Sequence, residues 1–262
     1  MKRTDIYSYF CFGYNYYLLR YESKGVLVHG DKDSLISRIE DFLKNVEDLN
    51  LQVTSKAAEQ LRTILQEIAA KPSEAKVDVA LATQVTSAID ALDKTLDAEL
   101  QLRYAFIVTP KRFGLDNLLE HPVTLFAGEV FQLLPRICQF DIAQACRCIA
   151  FGLPTAAAFH LMRGTEGVLR FYYEALVKRG RVGHPMWGPI VEHLRKRRDA
   201  PQLSLLDHLD HIRTNFRNPT QHPEARYDLD EAQDLLSLTI DAINRMVRDL
   251  RARGLARGTS AS

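Results

Sequence analysis

Residues 230–250 read DEAQDLLSLTIDAINRMVRDL, and this run predicts most directly how the second half of the chain folds. Apolar and small residues recur in it at spacings of three and four, which places them on one side of an α-helix. The expected buried stripe consists of Ala232, Leu235, Leu236, Thr239, Ile243, Met246 and Leu250. The run therefore predicts a long amphipathic helix that packs against neighbouring helices.

Similar periodicity upstream of this run predicts a helical bundle. Pro135 is expected to bend the first helix of the bundle. Asp141, with Gln144 three residues later, resembles a capping box and indicates a helix that begins there. The helices expected before the last one cover residues 125–138, 141–151, 155–179, 189–197 and 203–218.

The first 110 residues predict an α-helical, coiled-coil-like region with room for a few short strands. Between residues 35 and 53 the apolar positions alternate spacings of four and three, as in a helix packed on a partner. A further helix is expected over residues 81–96. The aromatic run at residues 7–21 and the apolar run at 25–29 instead favour strand or irregular structure.

The loop over residues 110–124 is the expected domain boundary, because it combines two prolines with a glycine. The chain as a whole is predicted to be mainly α. The predicted domains are an N-terminal helical, regulatory region (1–110), a helical bundle (125–252) and a disordered tail (253–262).

Composition favours an ordinary folded, cytoplasmic protein. With 262 residues, 46% of them hydrophobic, the chain can bury a core, and it has no apolar run long enough to cross a membrane. The aromatic start lacks the cleavage pattern of a secretory signal. The cysteines, expected to be reduced and packed, form no C-x-x-C pair; they are Cys11, Cys138, Cys146 and Cys148.

Charge is distributed unevenly behind the net charge of +1. Residues 1–150 hold 17 basic and 20 acidic residues, whereas residues 151–262 hold 17 basic and 13 acidic residues. Such basic groups can bind phosphates by releasing counterions, although a solvated helix face would have the same composition. The cluster that we expect to bind RNA is Arg195, Lys196, Arg197 and Arg198.

The run Arg217-Asn218-Pro219-Thr220-Gln221-His222 is the candidate catalytic motif. We expect Pro219 to break the helix here, with Arg217 beside the apolar arc of that helix, near Arg213 and bordering a groove. An arginine can balance charge on a phosphate while a histidine transfers a proton. The ordinary alternative is that Arg217 caps helix carbonyls and His222 occupies a surface turn.

Three stretches resemble the HEPN superfamily, helical bundles that share an R-x4-6-H motif. The resemblance covers roughly residues 125–250, and residues 1–110 resemble no family that we recognise. The stretches are Ala145-Cys146-Arg147-Cys148-Ile149-Ala150-Phe151, Ala158-Phe159-His160-Leu161-Met162-Arg163-Gly164-Thr165-Glu166, and Asn215-Phe216-Arg217-Asn218-Pro219-Thr220-Gln221-His222 leading into Tyr227 and Glu231-Ala232.

The resemblance implies a metal-independent endoribonuclease of a toxin–antitoxin or antiviral defence system, acting on RNA as a homodimer. Arg217 would stabilise the phosphate, His222 would transfer a proton, and Asn218 would orient the phosphate or the motif. Glu166 could hold Arg217 or Arg163 in place, or it could form only a pair with Arg170 along its own helix. Attack by a ribose 2′-hydroxyl would leave a 2′,3′-cyclic phosphate. An antitoxin or a phage-derived trigger is the expected regulatory partner.

The resemblance also leaves a second reading open. Some superfamily members are non-catalytic modules that bind RNA, a nucleotide or a protein partner, and Pro219 inside the motif could misalign His222.

No cofactor or metal is expected. His208 and His211, with two aspartates beside them, have a spacing that a metal could use, but no second cluster completes such a site. Phosphate-binding glycine loops and a G-x-S-x-G motif are absent, which removes support for nucleotide hydrolases and serine hydrolases.

Overall fold

A computed structural model describes residues 6–220, 222 and 224–255, and these residues form a mainly α-helical protein, as predicted. The chain divides between Phe106 and Ile107 into two units, each with its own hydrophobic core. No helix among the described residues has the length and apolar character required to cross a membrane. Most of the tail that the sequence predicts to be disordered, residues 256–262, lies outside the described residues.

The helices of the N-terminal unit surround a core of aliphatic side chains together with Phe12 and Phe42. Helix boundaries follow from capping: the Ser34 hydroxyl accepts a hydrogen bond from the Ser37 backbone, and the Asp78 carboxylate accepts one from the Leu81 backbone at 2.8 Å. In the described residues the helices are α1 (Ile6–Tyr21), α2 (Leu35–Asp48), α3 (Gln52–Ala57), α4 (Glu59–Ala69) and α5 (Val79–Gln101).

The aromatic run at residues 7–21 is helical, so the expectation of strand or irregular structure is wrong. Phe12 and Leu19 are buried, and the Phe12 ring stacks on Phe42 of α2 with 5.3 Å between centroids. Tyr16 donates a hydrogen bond to Asp93 of α5 at 2.5 Å. These side chains recur at helical spacing, so packing on two helices overrides the strand preference of aromatic residues.

The apolar run at residues 25–29 forms no strand. Its pairing is limited to an isolated antiparallel bridge between Leu27 and Lys76. This bridge is the whole of the β structure in the described part of the chain, so the few short strands allowed by the sequence are not formed there.

The helices of the C-terminal unit in the described residues are α6 (Leu115–Leu119), α7 (Arg136–Ala150), α8 (Pro154–Leu176), α9 (Trp187–Arg195), α10 (Leu203–Ile212), α11 (Asn218–Thr220) and α12 (Leu229–Ala252). The unit is built around α8, which packs against α7 and α12. Trp187 at the start of α9 is buried and donates its indole N–H to the Leu209 carbonyl of α10 at 3.0 Å, which ties these two helices together. A capping box of Asp228 and Glu231 begins α12.

Glycines allow α7 and α8 to approach closely. A Cβ at Gly167 would lie 2.6 Å from the Cys138 sulfur, and a Cβ at Gly164 would lie 3.2 Å from the Asp141 Cβ. Both pairs are three residues apart on their helices, so the two contacts repeat along one line of the interface. This approach places the Asp141 carboxylate against the side chains of α8.

Two predicted helix starts are wrong. Residues 125–138 are not one bent helix, because short 3-10 turns (Pro122–Leu125 and Phe131–Leu133) precede α7, which begins after Pro135. Asp141 consequently lies inside α7 and caps nothing. A side chain in the interior of a helix points away from the axis and cannot reach the free backbone amides of the first turn. The Asp141 carboxylate instead binds side chains of α8.

Burial keeps the thiols of α7 protonated. It raises the pKa of Cys138 to about 11 and that of Cys146 to about 12. All four cysteines are free; Cys138 and Cys146 are buried, whereas Cys11 and Cys148 are half-buried.

Candidate active site

The motif helix does not break at Pro219. Helix α10 continues into a π-helical segment (Arg213–Arg217) and then into α11, which contains the proline. In the π-helical segment the Asn218 backbone N–H donates to the Arg213 carbonyl, one residue further back than in an α-helix. Proline lacks the N–H and crowds the carbonyl four residues earlier, and the wider turn accommodates both effects.

Two hydroxyl groups donate hydrogen bonds to a backbone carbonyl near the end of this helix. Thr220 and Tyr227 each donate a hydrogen bond to the Phe216 carbonyl, at 2.6 and 3.0 Å. The Tyr227 backbone N–H in turn donates to the Thr155 hydroxyl at the start of α8, at 3.2 Å. The chain after the motif is thereby tied to α8, which keeps the motif helix beside it.

Arg217 is held by a carboxylate of α8. Its Nε and Nη2 donate to Oε2 of Glu166 at 3.2 and 3.1 Å, while Oε1 of Glu166 accepts from Arg170 at 2.6 Å. The side chains of Arg217 and Glu166 are 22% and 14% exposed, so this ion pair is largely shielded from solvent. Nη1 of Arg217 has no hydrogen-bond partner among the described residues.

Arg217 and Glu166 line a cleft between α8 and the motif helix, with a volume of about 390 Å³. The cleft also contains a histidine, a second arginine and an apolar wall. Its lining consists of Phe159, His160, Met162, Arg163, Glu166, Arg217 and Thr220. A space of this size can admit a phosphate with part of an attached sugar.

A buried carboxylate behind the cleft lining organises two of these side chains. Asp141, only 2% exposed, lies 3.0 Å through Oδ1 from Nδ1 of His160. Arg163 donates to the same carboxylate, from Nε to Oδ2 at 2.8 Å and from Nη2 to Oδ1. Burial by itself would raise the pKa of Asp141, but the hydrogen bonds from Arg163 and His160 outweigh it and hold this pKa below its ordinary value.

His222 lies after α11 in a turn where its backbone N–H donates to the Pro219 carbonyl at 2.8 Å. The residue is exposed, and it is not among the described residues that line the cleft. Its neighbours Gln221 and Pro223 fall outside the described residues. The structure therefore places Arg217 in the cleft and His222 on the turn beside the motif helix.

The supporting residues predicted around the motif are dispersed, apart from Glu166. Arg213 donates to Asp210 at 2.9 Å and packs near Gly188, away from the cleft lining. Asn218 is half-buried, and its side chain has no hydrogen bond to another described residue. Neither residue lines the cleft.

The basic cluster expected to bind RNA lies at the end of α9, and half of its charge is already paired. Arg195 donates to Asp207 at 2.7 Å, and Arg197 forms two hydrogen bonds of 2.8 Å to Asp199. Lys196 and Arg198 are exposed. None of the four lines the cleft.

The two histidines with metal-like spacing on α10 have separate surroundings. His208 Nε2 lies 3.1 Å from the Leu238 carbonyl, whereas His211 Nδ1 lies 2.9 Å from the Asn215 amide. Across the described residues, no group of three or more His, Cys, Asp or Glu side chains is placed to hold a metal ion.

The residues that sequence reasoning missed are His160 and Asp141. Their separation of 19 positions on two different helices is not a recognisable motif, and Asp141 resembled a helix cap. The available signal was His160, Arg163 and Glu166 at spacings of three residues, which places three polar groups on one face of α8.

Comparison with protein-family models, curated proteins and solved structures gives no match to this chain.

Proposed function

We propose that the C-terminal unit is a metal-independent endoribonuclease of the HEPN type. The observation that carries the proposal is the guanidinium of Arg217, oriented by Glu166 within a cleft and retaining Nη1 for a further acceptor. An arginine fixed in this way can bind a phosphodiester and stabilise the additional negative charge of its transition state.

In the proposed reaction, a ribose 2′-hydroxyl attacks the neighbouring phosphorus. The P–O5′ bond breaks, and the products are a 2′,3′-cyclic phosphate and a 5′-hydroxyl. His222 would donate a proton to the leaving 5′-oxygen, since a histidine can carry or release a proton near neutral pH. No step requires a metal ion.

A toxin or antiviral defence role is proposed with this chemistry, and the N-terminal unit is the proposed site for an antitoxin or a phage-derived trigger. The homodimer expected from the family resemblance stays a prediction. A second copy would supply a second Arg217 and a second His222 to the reaction.

The test is cleavage of total RNA and tRNA by purified protein in excess chelator. We expect Arg217→Ala to lower the rate about 10²- to 10³-fold, because it removes charge stabilisation of the transition state. We expect His222→Ala to lower it about 10²- to 10⁴-fold, because it removes proton transfer. A 2′,3′-cyclic phosphate end is identified because a phosphomonoesterase removes its phosphate only after mild acid has opened the ring.

Arg147→Ala on α7 and His184→Ala in the loop before α9 are matched controls, because both residues are exposed and neither lines the cleft. Both control variants should cleave RNA at the wild-type rate. Cleavage retained by both Arg217→Ala and His222→Ala would refute the proposed mechanism.

A non-catalytic HEPN-like module is the second candidate function, and the position of His222 outside the described cleft lining favours it. Such a module would bind RNA, a nucleotide or a protein partner through Arg217 without cleaving. In the same experiment it would retain RNA in a filter-binding assay, lose that binding in Arg217→Ala, and yield no product.

A further inference from the structure

We propose that His160 is the general base of the cleft and that Asp141 is the residue that positions it. The inference rests on the proposed ribonuclease function and adds a second histidine to it. In this inference His160 accepts a proton and His222 donates one, because cleavage needs both transfers.

The hydrogen bond between Asp141 and His160 determines which ring nitrogen is available. A carboxylate can only accept, so the bond to Asp141 places a proton on Nδ1, and in the neutral form of the ring Nε2 then carries the lone pair. Nε2 has no partner among the described residues, and His160 lines the cleft. The ring is 29% exposed, so a substrate hydroxyl can reach it.

The imidazole is held in one orientation by rigid surroundings. Asp141 is almost fully buried between α7 and α8, where the missing Cβ of Gly164 allows its close approach. Arg163 donates two further hydrogen bonds to the same carboxylate, which keeps it charged beside the imidazole. A fixed tautomer and a fixed orientation are the requirements for a histidine that accepts a proton in one step.

The base and the phosphate-binding group share the cleft. The charged groups around His160 are Asp141 from α7, Arg163 and Glu166 from its own helix, and Arg217 from the π-helical segment. Arg163 is satisfied by Asp141 and Arg217 by Glu166, so both cations near the imidazole have an anionic partner. Nε2 of His160 therefore faces a cleft in which both neighbouring guanidinium groups are already bound to a carboxylate.

The step balances without any further reactant. Nε2 of His160 takes the proton of the 2′-hydroxyl while the 2′-oxygen forms its bond to phosphorus, beside Arg217. The electron pair of the breaking P–O5′ bond stays on the 5′-oxygen, which takes a proton from His222. The two histidines then return to their initial protonation states by exchange with water.

The experiment compares two substrates in excess chelator: RNA, and uridine 3′-(p-nitrophenyl phosphate), whose leaving group needs no proton. His160→Asn is the main variant, because the asparagine amide can still donate to Asp141 from nearly the position of Nδ1 but cannot accept a proton. We expect it to lose about 10²- to 10⁴-fold in rate on both substrates. His222→Ala should lose far more on RNA than on the nitrophenyl ester.

A pH profile on the nitrophenyl ester separates a base from a structural residue. The wild-type rate should rise with pH as the base loses its proton, and this limb should be missing in His160→Asn. His160→Gln, which places its amide near Nε2, serves as a second variant. Unfolding midpoints of both variants establish that they are folded.

Each outcome has one meaning. Wild-type protein that cleaves neither substrate overturns the proposed function and this inference together. Wild-type cleavage with undiminished activity in folded His160 variants overturns the inference alone. A variant that loses RNA cleavage but keeps the nitrophenyl reaction and its rising pH limb also overturns it, because the base would then be another group.

Discussion

Asp141 shows how one buried carboxylate can serve both stability and chemistry. It accepts hydrogen bonds from Arg163 and from His160, and its burial would be unfavourable without them. Because its pKa is lower in the folded than in the unfolded chain, ionised Asp141 stabilises the fold at neutral pH. This contribution is complete above the unfolded pKa, near pH 4, and is lost as the pH falls through the lower folded value.

Asp141→Asn should lower the free energy of unfolding at pH 7 by about 1.5–3 kcal/mol, the usual worth of hydrogen bonds to a charged group. The difference from wild type should shrink below about pH 4, where the wild-type carboxyl also becomes neutral. Urea unfolding between pH 3 and pH 7 measures both effects.

Asp207→Asn is the control for this measurement, because Asp207 is exposed and pairs with Arg195 at the surface. An exposed ion pair contributes about 0–1 kcal/mol, so this variant should remain close to wild type. A difference between wild type and Asp141→Asn that is constant with pH would contradict the assigned ionisation of Asp141.

At the residue scale, the sequence singled out two of the residues that line the cleft. Arg217 and Glu166 were identified, Arg217 by its motif and Glu166 by the family resemblance. His160 and Asp141 were not identified as a pair, because two residues on different helices meet only through the packing of those helices. That packing depends on glycine contacts whose partners the sequence does not specify.

At the scale of elements, the line of contact between α7 and α8 limits what can be substituted. The Cys138 thiol occupies the space above Gly167, and interiors at crystal-like density have no spare volume for a methyl group. Asp141, which binds His160, lies on the same line of contact. A change in the distance between α7 and α8 would therefore alter the cleft.

Gly167→Ala should therefore destabilise the protein by about 1–3 kcal/mol, the usual cost of overpacking. The double variant Cys138→Ala/Gly167→Ala should recover most of this loss, because removal of the thiol makes room for the new methyl group. Thermal or urea unfolding of the two single variants and the double variant measures the coupling.

Gly13→Ala in α1 is the matched control, since a Cβ there meets no atom within 4 Å. It should stabilise the protein by about 0.5–1 kcal/mol through helix propensity alone. If Gly167→Ala were stabilising as well, α7 and α8 would not be in close contact at this point.

The periodic helices were predictable because burial repeats along them, as in α2 and α12. Helix α1 was not, because its aromatic residues favour strands locally and become helical through contacts with α2 and α5. The π-helical segment was also unpredictable: proline normally ends a helix, and the wider turn that accommodates Pro219 has no sequence signature.

At the scale of the whole molecule, the cleft belongs entirely to the C-terminal unit. Every described residue that lines the cleft lies after Ile107, and so does Asp141 behind it. All of them therefore belong to the unit that has its own hydrophobic core. A unit with its own core is expected to fold on its own.

A fragment of residues 107–262 should accordingly be helical by circular dichroism and unfold in one cooperative transition. It should cleave RNA at the rate of the full chain if the first unit has only a regulatory role. An unfolded fragment would show that the two cores depend on each other, whereas a folded but inactive one would assign the first unit a part in catalysis.

In the π-helical segment that ends at Arg217, the number of residues matters more for the geometry of the helix than the identity of their side chains. Removing one residue from Arg213–Arg217 would restore the ordinary helical repeat, in which the ring of Pro219 would crowd the carbonyl four residues earlier. Related chains are therefore expected to vary the side chains of this turn more readily than their number.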